Sequence, residues 1–198
     1  MQPVAARAIK SGTSASFLMS RAWVTRLART HQLAQILGMR PGDHPEFFRF
    51  PAPEGQSRES SLRLDGEGRF WHDGELVEHA GLALALARWI SRHPDDGRFI
   101  LTNGYDWTYF AVDDVPYFVR GISSGARPEL MLSDGSTEPF PDAGYRIGRG
   151  GALYCPVKHG GFEARFTPSA QAALTELIDE GAAFPVLRVG DRRIRLPS

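Results

Sequence analysis

Cysteine is nearly absent from this chain of 198 residues, which contains only Cys155. A single thiol excludes a disulfide within the chain and favours a reducing compartment. The sequence also has no run of about 18 apolar residues, so no membrane-spanning segment is predicted. These absences lead us to expect a cytoplasmic protein that has no membrane partner.

The chain also has no net charge, since 23 Lys and Arg residues balance 23 Asp and Glu residues. General nucleic-acid binders owe much of their affinity to neutralised phosphates, so this balance argues against a nucleic-acid partner. The charge is unevenly spread, because no acidic residue precedes Asp43. Residues 1–42 carry six basic side chains, a local charge of +6, which leaves −6 on the remainder.

The acid-free N-terminal region predicts a basic helix followed by a linker, over residues 1–60. Glycine and proline at Gly38 and Pro41-Gly42 are typical signals for the end of a helix over residues 16–37. Residues 39–60 contain four prolines and the patch Phe47-Phe48-Arg49-Phe50. This composition indicates a linker that docks through its phenylalanines. The apolar residues of the predicted helix lie near one face: Met19, Trp23, Leu27, Ala34 and Leu37.

Glycine and proline are abundant, and together they make up 35 of the 198 residues. Average usage is roughly 12% for the two combined, so the chain turns often. Short strands are predicted around tight turns such as Asp73-Gly74 and Asn103-Gly104. Two segments, residues 79–92 and 167–181, predict helices with one apolar side. The pattern predicts an α+β fold of mostly antiparallel sheet, with each helix covering a sheet face.

Two parts of the chain resemble each other, and we interpret them as imperfect repeats over residues 61–125 and 126–198. Gly68-Arg69-Phe70-Trp71 corresponds to Gly151-Ala152-Leu153-Tyr154, and one helix is assigned to each repeat. The seam between two similar units is the natural place for a ligand. Helix positions in the two repeats correspond at one constant offset: Leu82, Leu86, Trp89 and Ile90 with Ala170, Leu174, Leu177 and Ile178. Six of them mark the expected core: Leu82, Leu86, Ile90, Leu174, Leu177 and Ile178.

Several segments together resemble the bacterial family of unknown function DUF1285. The first is Gly68-Arg69-Phe70-Trp71 with Asp73-Gly74-Glu75-Leu76, and the second runs from Val112 to Phe118. Tyr154 and the run from Val157 to Phe166 resemble the family's second half. The resemblance covers about residues 61–196 and implies a two-repeat fold with a cleft. It implies no established activity, although a role in signalling has been suggested for the family.

Charged residues beside two turns are the candidate ligand-binding residues. Lys158, His159, Glu163 and Arg165 flank the Gly160-Gly161 turn, while Asp113 and Asp114 precede Pro116. In one interpretation Lys158 and Arg165 receive a small anionic ligand, or an acidic segment of a partner, and the aspartates orient the site. In the other, Glu163 and Arg165 simply pair with charges on neighbouring strands.

No catalytic or cofactor motif is predicted. Cys155 and His159 are four strand residues apart, roughly 13 Å at about 3.3 Å per residue, which is too far for proton transfer. The histidines lack metal-ligand spacing, and Gly148-Arg149-Gly150-Gly151 precedes a strand, so we interpret it as a connector and not a phosphate loop. The leading hypothesis is a non-enzymatic ligand- or partner-sensing module. The alternatives are a small hydrolase that uses acidic cleft residues such as Asp113, and a structural interaction module.

Overall fold

The structure is a computed structural model and describes residues 40–179 and 184–197. The helix predicted over residues 16–37 lies outside the described residues. The first six strands are joined around one helix: β1 (Glu59–Leu64), β2 (Phe70–His72), β3 (Glu75–Leu76), α1 (Ala80–Arg88), β4 (Ile90–Arg92), β5 (Phe99–Thr102) and β6 (Trp107–Val112). The next six are β7 (Tyr117–Ile122), β8 (Glu129–Leu132), β9 (Thr137–Pro139), β10 (Arg146–Ile147), β11 (Leu153–Val157) and β12 (Phe162–Phe166). Then come α2 (Pro168–Leu174) and a hairpin of β13 (Val186–Val189) and β14 (Arg192–Arg195).

The two large sheets have the same topology. Their strand orders are β3-β2-β1-β6-β5-β4 and β9-β8-β7-β12-β11-β10. In each sheet one pair of neighbouring strands runs parallel, β1 with β6 in the first and β7 with β12 in the second. All other neighbouring strands in the two sheets are antiparallel. The predicted two-repeat α+β fold is therefore confirmed, with one unit over residues 59–112 and the other over 117–166.

The division between the two sheets falls at residues 113–116, whereas the sequence similarity suggested a boundary at 125. Strand β7 pairs with β8 and β12, so it belongs to the second sheet. The two helices also occupy different places in their units, because α1 joins β3 to β4 while α2 follows β12. Local similarity between segments did not show which strands they would pair with, and that pairing defines the repeat.

Both helices end earlier than the sequence predicted. Helix α1 stops at Arg88 because Ile90 to Arg92 pair with β5 as strand β4. Helix α2 begins as predicted, with the Thr167 hydroxyl accepting the Ala170 N–H at 3.3 Å and Pro168 in the first turn. A 3₁₀ turn, Thr175–Leu177, replaces its last turn, and Ile178 bridges to Leu187 in β13.

One hydrophobic core connects the two sheets. Its largest fully buried side chains include Tyr154, Phe118, Phe140 and Phe166, which all belong to the second unit. Burying such a side chain contributes about 1.5–3 kcal/mol. Of the six helix residues predicted to lie in the core, Leu86, Ile90 and Leu174 are buried. The other three are half-buried and pack against the core: Leu82, Leu177 and Ile178.

Residues 41–50, here called the strap, dock on the first sheet. The Gly42 N–H donates to the Gly104 carbonyl at 2.8 Å, where the two backbones approach closely. The Phe48 ring packs edge-on against His93, and the Arg49 guanidinium forms a two-pronged pair with Asp95. The linker thus docks through Phe48, as its composition predicted. None of the helices in the described residues has both the length and the apolar character needed to cross a membrane.

Candidate functional site

A cleft of about 340 Å³ lies where the two sheets meet. Most of its lining comes from the end of β1, the β1–β2 turn and the residue after β6 in the first unit. The second unit contributes two arginines. We call this cleft the arginine cleft, and its lining residues are Arg63, Asp65, Gly66, Glu67, Arg69, Trp71, Asp113, Arg149 and Arg165.

The buried Asp65 carboxylate shapes the floor of the arginine cleft. It accepts the backbone N–H groups of Glu67 and Arg69 at 2.9 Å each, which closes the β1–β2 turn. It also accepts the Arg69 Nε and the Trp71 indole N–H, each at 2.8 Å. Burial opposes ionisation of Asp65, but the hydrogen bonds from Arg69, Trp71 and Glu67 outweigh it and lower its pKa to about 2. The Asp65 carboxylate is therefore ionised and paired with Arg69, and the turn that forms the floor is fixed in shape.

Further arginines and carboxylates pair along the wall from the first unit. Arg63 Nη1 lies 2.5 Å from Asp113 Oδ2, and Arg69 pairs with Glu67 as well as with Asp65. The guanidinium carbons of Arg63 and Arg69 also lie 5.5 and 5.7 Å from the centre of the Trp71 ring, within cation–π range. Each of these lining aspartates thus already has an arginine partner.

Arg165 crosses from the second sheet to the first. Its Nη1 donates to the Gly66 carbonyl at 2.9 Å and lies 3.3 Å from the Asp114 carboxylate. Asp114 also accepts the Tyr154 hydroxyl at 2.8 Å. Burial and this bond to Asp114 raise the pKa of Tyr154, so its hydroxyl remains a donor. Arg165 is therefore held in place from both sheets.

Arg149 is the cation that the sequence analysis missed, since it assigned Gly148–Gly151 to a connector. It begins a 3₁₀ turn in which Gly150 and Gly151 have φ of 65° and 76°, a conformation that favours glycine. Its side chain is exposed and has no hydrogen bond or ion pair within residues 40–179 and 184–197. Arg149 Nη1 lies 3.4 Å from the point that a Cβ on Gly66 would occupy, and Arg165 Nη1 lies 3.9 Å from it. Two guanidinium groups therefore converge over Gly66.

The structure brings together some of the six predicted ligand-binding residues. Asp113 and Arg165 line the arginine cleft, and Asp114 lies against Arg165. Glu163 forms a two-pronged pair with Arg146 at 2.5 Å for each contact. Arg146 lies in β10, on the far side of β11, so Glu163 pairs with a charge in its own sheet, as the second interpretation proposed, but not on the adjacent strand.

Lys158 and His159 belong to the β11–β12 turn, outside the cleft lining. Lys158 Nζ lies 2.7 Å from Asp134, 3.1 Å from Glu138 and 2.7 Å from the Ser136 hydroxyl. Both turn residues have positive φ, 52° for Lys158 and 56° for His159, which turns the hairpin tightly. His159 is exposed at its tip.

Groups that often carry catalysis lie elsewhere in the described structure. Cys155 is fully buried, and burial raises its pKa to about 12, so it is an unreactive thiol. None of the histidines in the described residues lines the arginine cleft. Within the same residues, no three His, Cys, Asp or Glu side chains are grouped so that they could hold a metal ion.

Comparison with known proteins finds solved structures with a similar fold. No protein-family model matches the sequence, and none of the curated proteins matches it. A DUF1285 family protein from Silicibacter pomeroyi DSS-3 is similar in structure, with a TM-score of 0.57 and 14% identity over 76% of this chain and 92% of that one. A DUF1285 family protein from Shewanella baltica OS155 gives a TM-score of 0.49 and 13% identity over 61% of this chain and 94% of that one. The likeness to the Silicibacter protein shows a shared fold, and the resemblance to DUF1285 proteins that the motifs predicted is confirmed at that level.

Proposed function

We propose that this protein is a non-enzymatic sensing module that binds a small anionic ligand, or an acidic segment of a partner, in the arginine cleft. The observation that carries the proposal is Arg149, an exposed guanidinium without a partner in the described residues, which lies beside Arg165. Two cations held close together repel each other, and an anion between them relieves that repulsion. A charge-assisted hydrogen bond contributes roughly 1.5–3 kcal/mol where water is excluded, and less at a guanidinium as exposed as that of Arg149.

The pairing of the cleft carboxylates favours binding over hydrolysis. A hydrolase would need a carboxylate free to take a proton from water. Asp113, the residue proposed for that role, is held by Arg63 at 2.5 Å, and Asp65 accepts four hydrogen bonds. These carboxylates are placed to hold the arginines, and the arginines are placed to hold a ligand.

The position of the cleft supports a sensing role. Arg165 belongs to the second unit and already contacts the first through the Gly66 carbonyl, while Arg149 reaches the same glycine from another segment of the second unit. A ligand held by both arginines against the β1–β2 turn would link the two sheets. Ligand-dependent stabilisation of that seam is a signal that a partner can read, in line with the signalling role suggested for DUF1285 proteins.

A thermal-shift and calorimetric screen of the full chain tests the proposal. The ligands are inorganic phosphate, nucleotides, phosphosugars and dicarboxylates. We expect at least one to raise the melting temperature, and R149A to abolish that rise while the melting temperature of the unliganded protein stays within about 1 °C. The matched control is R188A, which removes an exposed arginine in β13, away from the cleft. A ligand that binds R149A and R165A as tightly as the unmodified protein would place the site elsewhere.

A further inference from the structure

We infer that the arginine cleft selects a singly charged carboxylate group, seated over Gly66 between Arg149 and Arg165. The inference rests on the proposed function and names the chemistry of the ligand. It is drawn from two independent features of the cleft: the space over Gly66, and the balance of charges around it.

The space over Gly66 fits one small group. A Cβ built on Gly66 would meet no atom closer than 3.4 Å, with Arg149 Nη1 at 3.4 Å and Arg165 Nη1 and Asp114 Cβ at 3.9 Å. A ligand oxygen cannot occupy that point itself, which is one bond length, about 1.5 Å, from the Gly66 Cα. It lies further out, in contact with that Cα and between the two guanidinium groups, where side-chain movement brings their N–H groups within about 2.9 Å, the usual length of such a bond. The missing side chain of Gly66 thus leaves room for an oxygen beside Arg149, and Arg165 can bind it through the N–H groups of its guanidinium that are not donated to Gly66 and Asp114.

The charge balance favours a single negative charge. Three cleft arginines already have carboxylate partners: Arg63 with Asp113, Arg69 with Asp65, and Arg165 with Asp114. Glu67 shares Arg69, and its side chain is 71% exposed. Four carboxylates thus equal the four cleft arginines in number, but Arg149 is the one guanidinium among them that has no partner in the described residues. A dianion such as a phosphomonoester would bring a second charge towards these held carboxylates, where like charges repel.

The shape of the donors points to a carboxylate. A guanidinium presents its N–H groups in a planar fork that matches the two oxygens of a carboxylate. The carboxylate can come from a free organic acid or from an Asp or Glu side chain of a partner segment. Both would make the same hydrogen bonds at the position over Gly66, so an experiment must decide whether the carboxylate comes from a free acid or from a partner.

An NMR titration of the full chain tests this selectivity. The indole N–H signal of Trp71, identified by its loss in W71F, reports on the cleft because Trp71 lines it. The probes are acetate, dimethyl phosphate and, at pH 8, inorganic phosphate as a dianion. We expect acetate to bind at least tenfold more tightly than inorganic phosphate. An arm with lactate, a larger monocarboxylate, and an arm with a short peptide rich in Glu, its termini blocked, then distinguish a free acid from a partner segment.

G66A is the decisive variant, because its methyl group occupies the space against which the ligand oxygen would pack and displaces that oxygen outward. Gly66 does not have positive φ, and its added Cβ makes only ordinary contacts, so we expect the fold and the melting temperature to be retained. G121A is the matched control, since Gly121 in β7 also lacks positive φ and its Cβ would meet only Met131 Sδ, at 3.7 Å. Acetate should bind G66A and R149A at least tenfold more weakly, and G121A with unchanged affinity.

The outcomes separate this inference from the proposed function. If the phosphate dianion binds more tightly than acetate and R149A abolishes its binding, the proposed function stands and the carboxylate inference is overturned. Unchanged acetate binding by G66A would also overturn it. If no anion of either kind binds the unmodified protein at the cleft, both fail together.

Discussion

Asp65 shows how one side chain can fix both a turn and a binding surface. Its carboxylate accepts two backbone N–H groups, a guanidinium and the Trp71 indole, and its pKa is lowered to about 2. An Asp in an unfolded chain has a pKa near 3.9. Because the folded-state pKa is the lower one, Asp65 contributes stability above pH 4, and this contribution disappears as the pH falls through about 2.

We therefore expect D65N to flatten the acid dependence of stability. Between pH 5 and pH 2, the free energy of unfolding should fall less steeply in D65N than in the unmodified protein, and urea denaturation at each pH measures it. E67Q, which changes an exposed carboxylate in the same turn, is the control and should keep the original slope. Parallel curves for D65N and the unmodified protein would show that Asp65 does not titrate in this way.

Lys158 is a second residue whose contacts define its role. Its ammonium group lies between Asp134 and Glu138, and the side chains of these three residues are only 24%, 10% and 22% exposed. Burial opposes ionisation of Asp134, but hydrogen bonds from Lys158 and Ser136 lower its pKa. Removal of one partner of a fully buried pair costs about 3–5 kcal/mol, and partial exposure reduces that figure.

We expect K158M to lower the free energy of unfolding by about 1–3 kcal/mol, because the buried Asp134 and the half-buried Glu138 carboxylates lose their cation. Anion binding at the arginine cleft should be unchanged, since Lys158 does not line it. R149A should show the reverse, with weaker binding and unchanged stability. Urea denaturation and the NMR titration on both variants check this. Loss of anion binding in K158M would mean that Lys158 belongs to the ligand site, as the sequence motif suggested.

Among the elements, the strap is the one whose docking was predicted from composition alone. The Phe48 ring lies 6.1 Å from the His93 ring and 6.2 Å from the Trp107 ring, and the His93 Nε2 lies 3.1 Å from the Phe48 carbonyl. Phe50, two residues later, is 62% exposed. The patch of three phenylalanines indicated docking, but only the folded sheet decides which ring is covered.

We expect F48A to lower the free energy of unfolding by about 2–4 kcal/mol, because it removes an aromatic ring from a packed cluster. F50A removes the same ring from an exposed position and should change it by less than about 0.5 kcal/mol. Chemical denaturation of the two variants makes the comparison. Equal effects would mean that the strap does not hold the sheet through Phe48.

Local signals in the sequence identified most elements but not where they end. The Thr167-Pro168 helix start and the Asn103-Gly104 turn depend on neighbouring residues, so the sequence predicted them correctly. The ends of α1 and α2 depend on partners far along the chain. Ile90 is in a strand and not in α1 because it pairs with Leu101. Ile178 is outside α2 because it forms a bridge with Leu187. Strand pairing outweighed helical periodicity at both sites.

For the whole molecule, the sequence predicted that a cleft would lie between two units, but of the four arginines that line it only Arg165 was identified. Arg165 and Gly66, which it contacts, are 99 residues apart, so no spacing rule links them. Asp113, Asp114 and Arg165 were singled out because they flank turns. Arg149 escaped because its glycine-rich surroundings resemble a connector, and only its position over Gly66 shows its role.

The contacts across the seam predict that the two units unfold together. A Cβ on Gly68, in the first unit, would lie 2.7 Å from the Phe118 ring in the second, and the hydrophobic core runs through both sheets. Arg88 likewise donates to the Asp134 carbonyl at 3.0 Å across the same seam. Neither six-stranded unit can keep its apolar face covered once the other has opened, so exposure of one face destabilises the other.

We expect a single unfolding transition, and we expect G68A to lower its midpoint for both units equally. Gly68 has φ of 78°, so alanine there is strained as well as crowded against Phe118. In a W23F background, tryptophan fluorescence follows the first unit, where the other three tryptophans, Trp71, Trp89 and Trp107, lie, while far-ultraviolet circular dichroism follows both sheets. Coincident curves for the unmodified protein and for G68A are the expected result. If fluorescence changes at a lower denaturant concentration than circular dichroism in G68A, the first unit unfolds alone. A ligand at the arginine cleft would then stabilise the first unit against a second unit that is still folded.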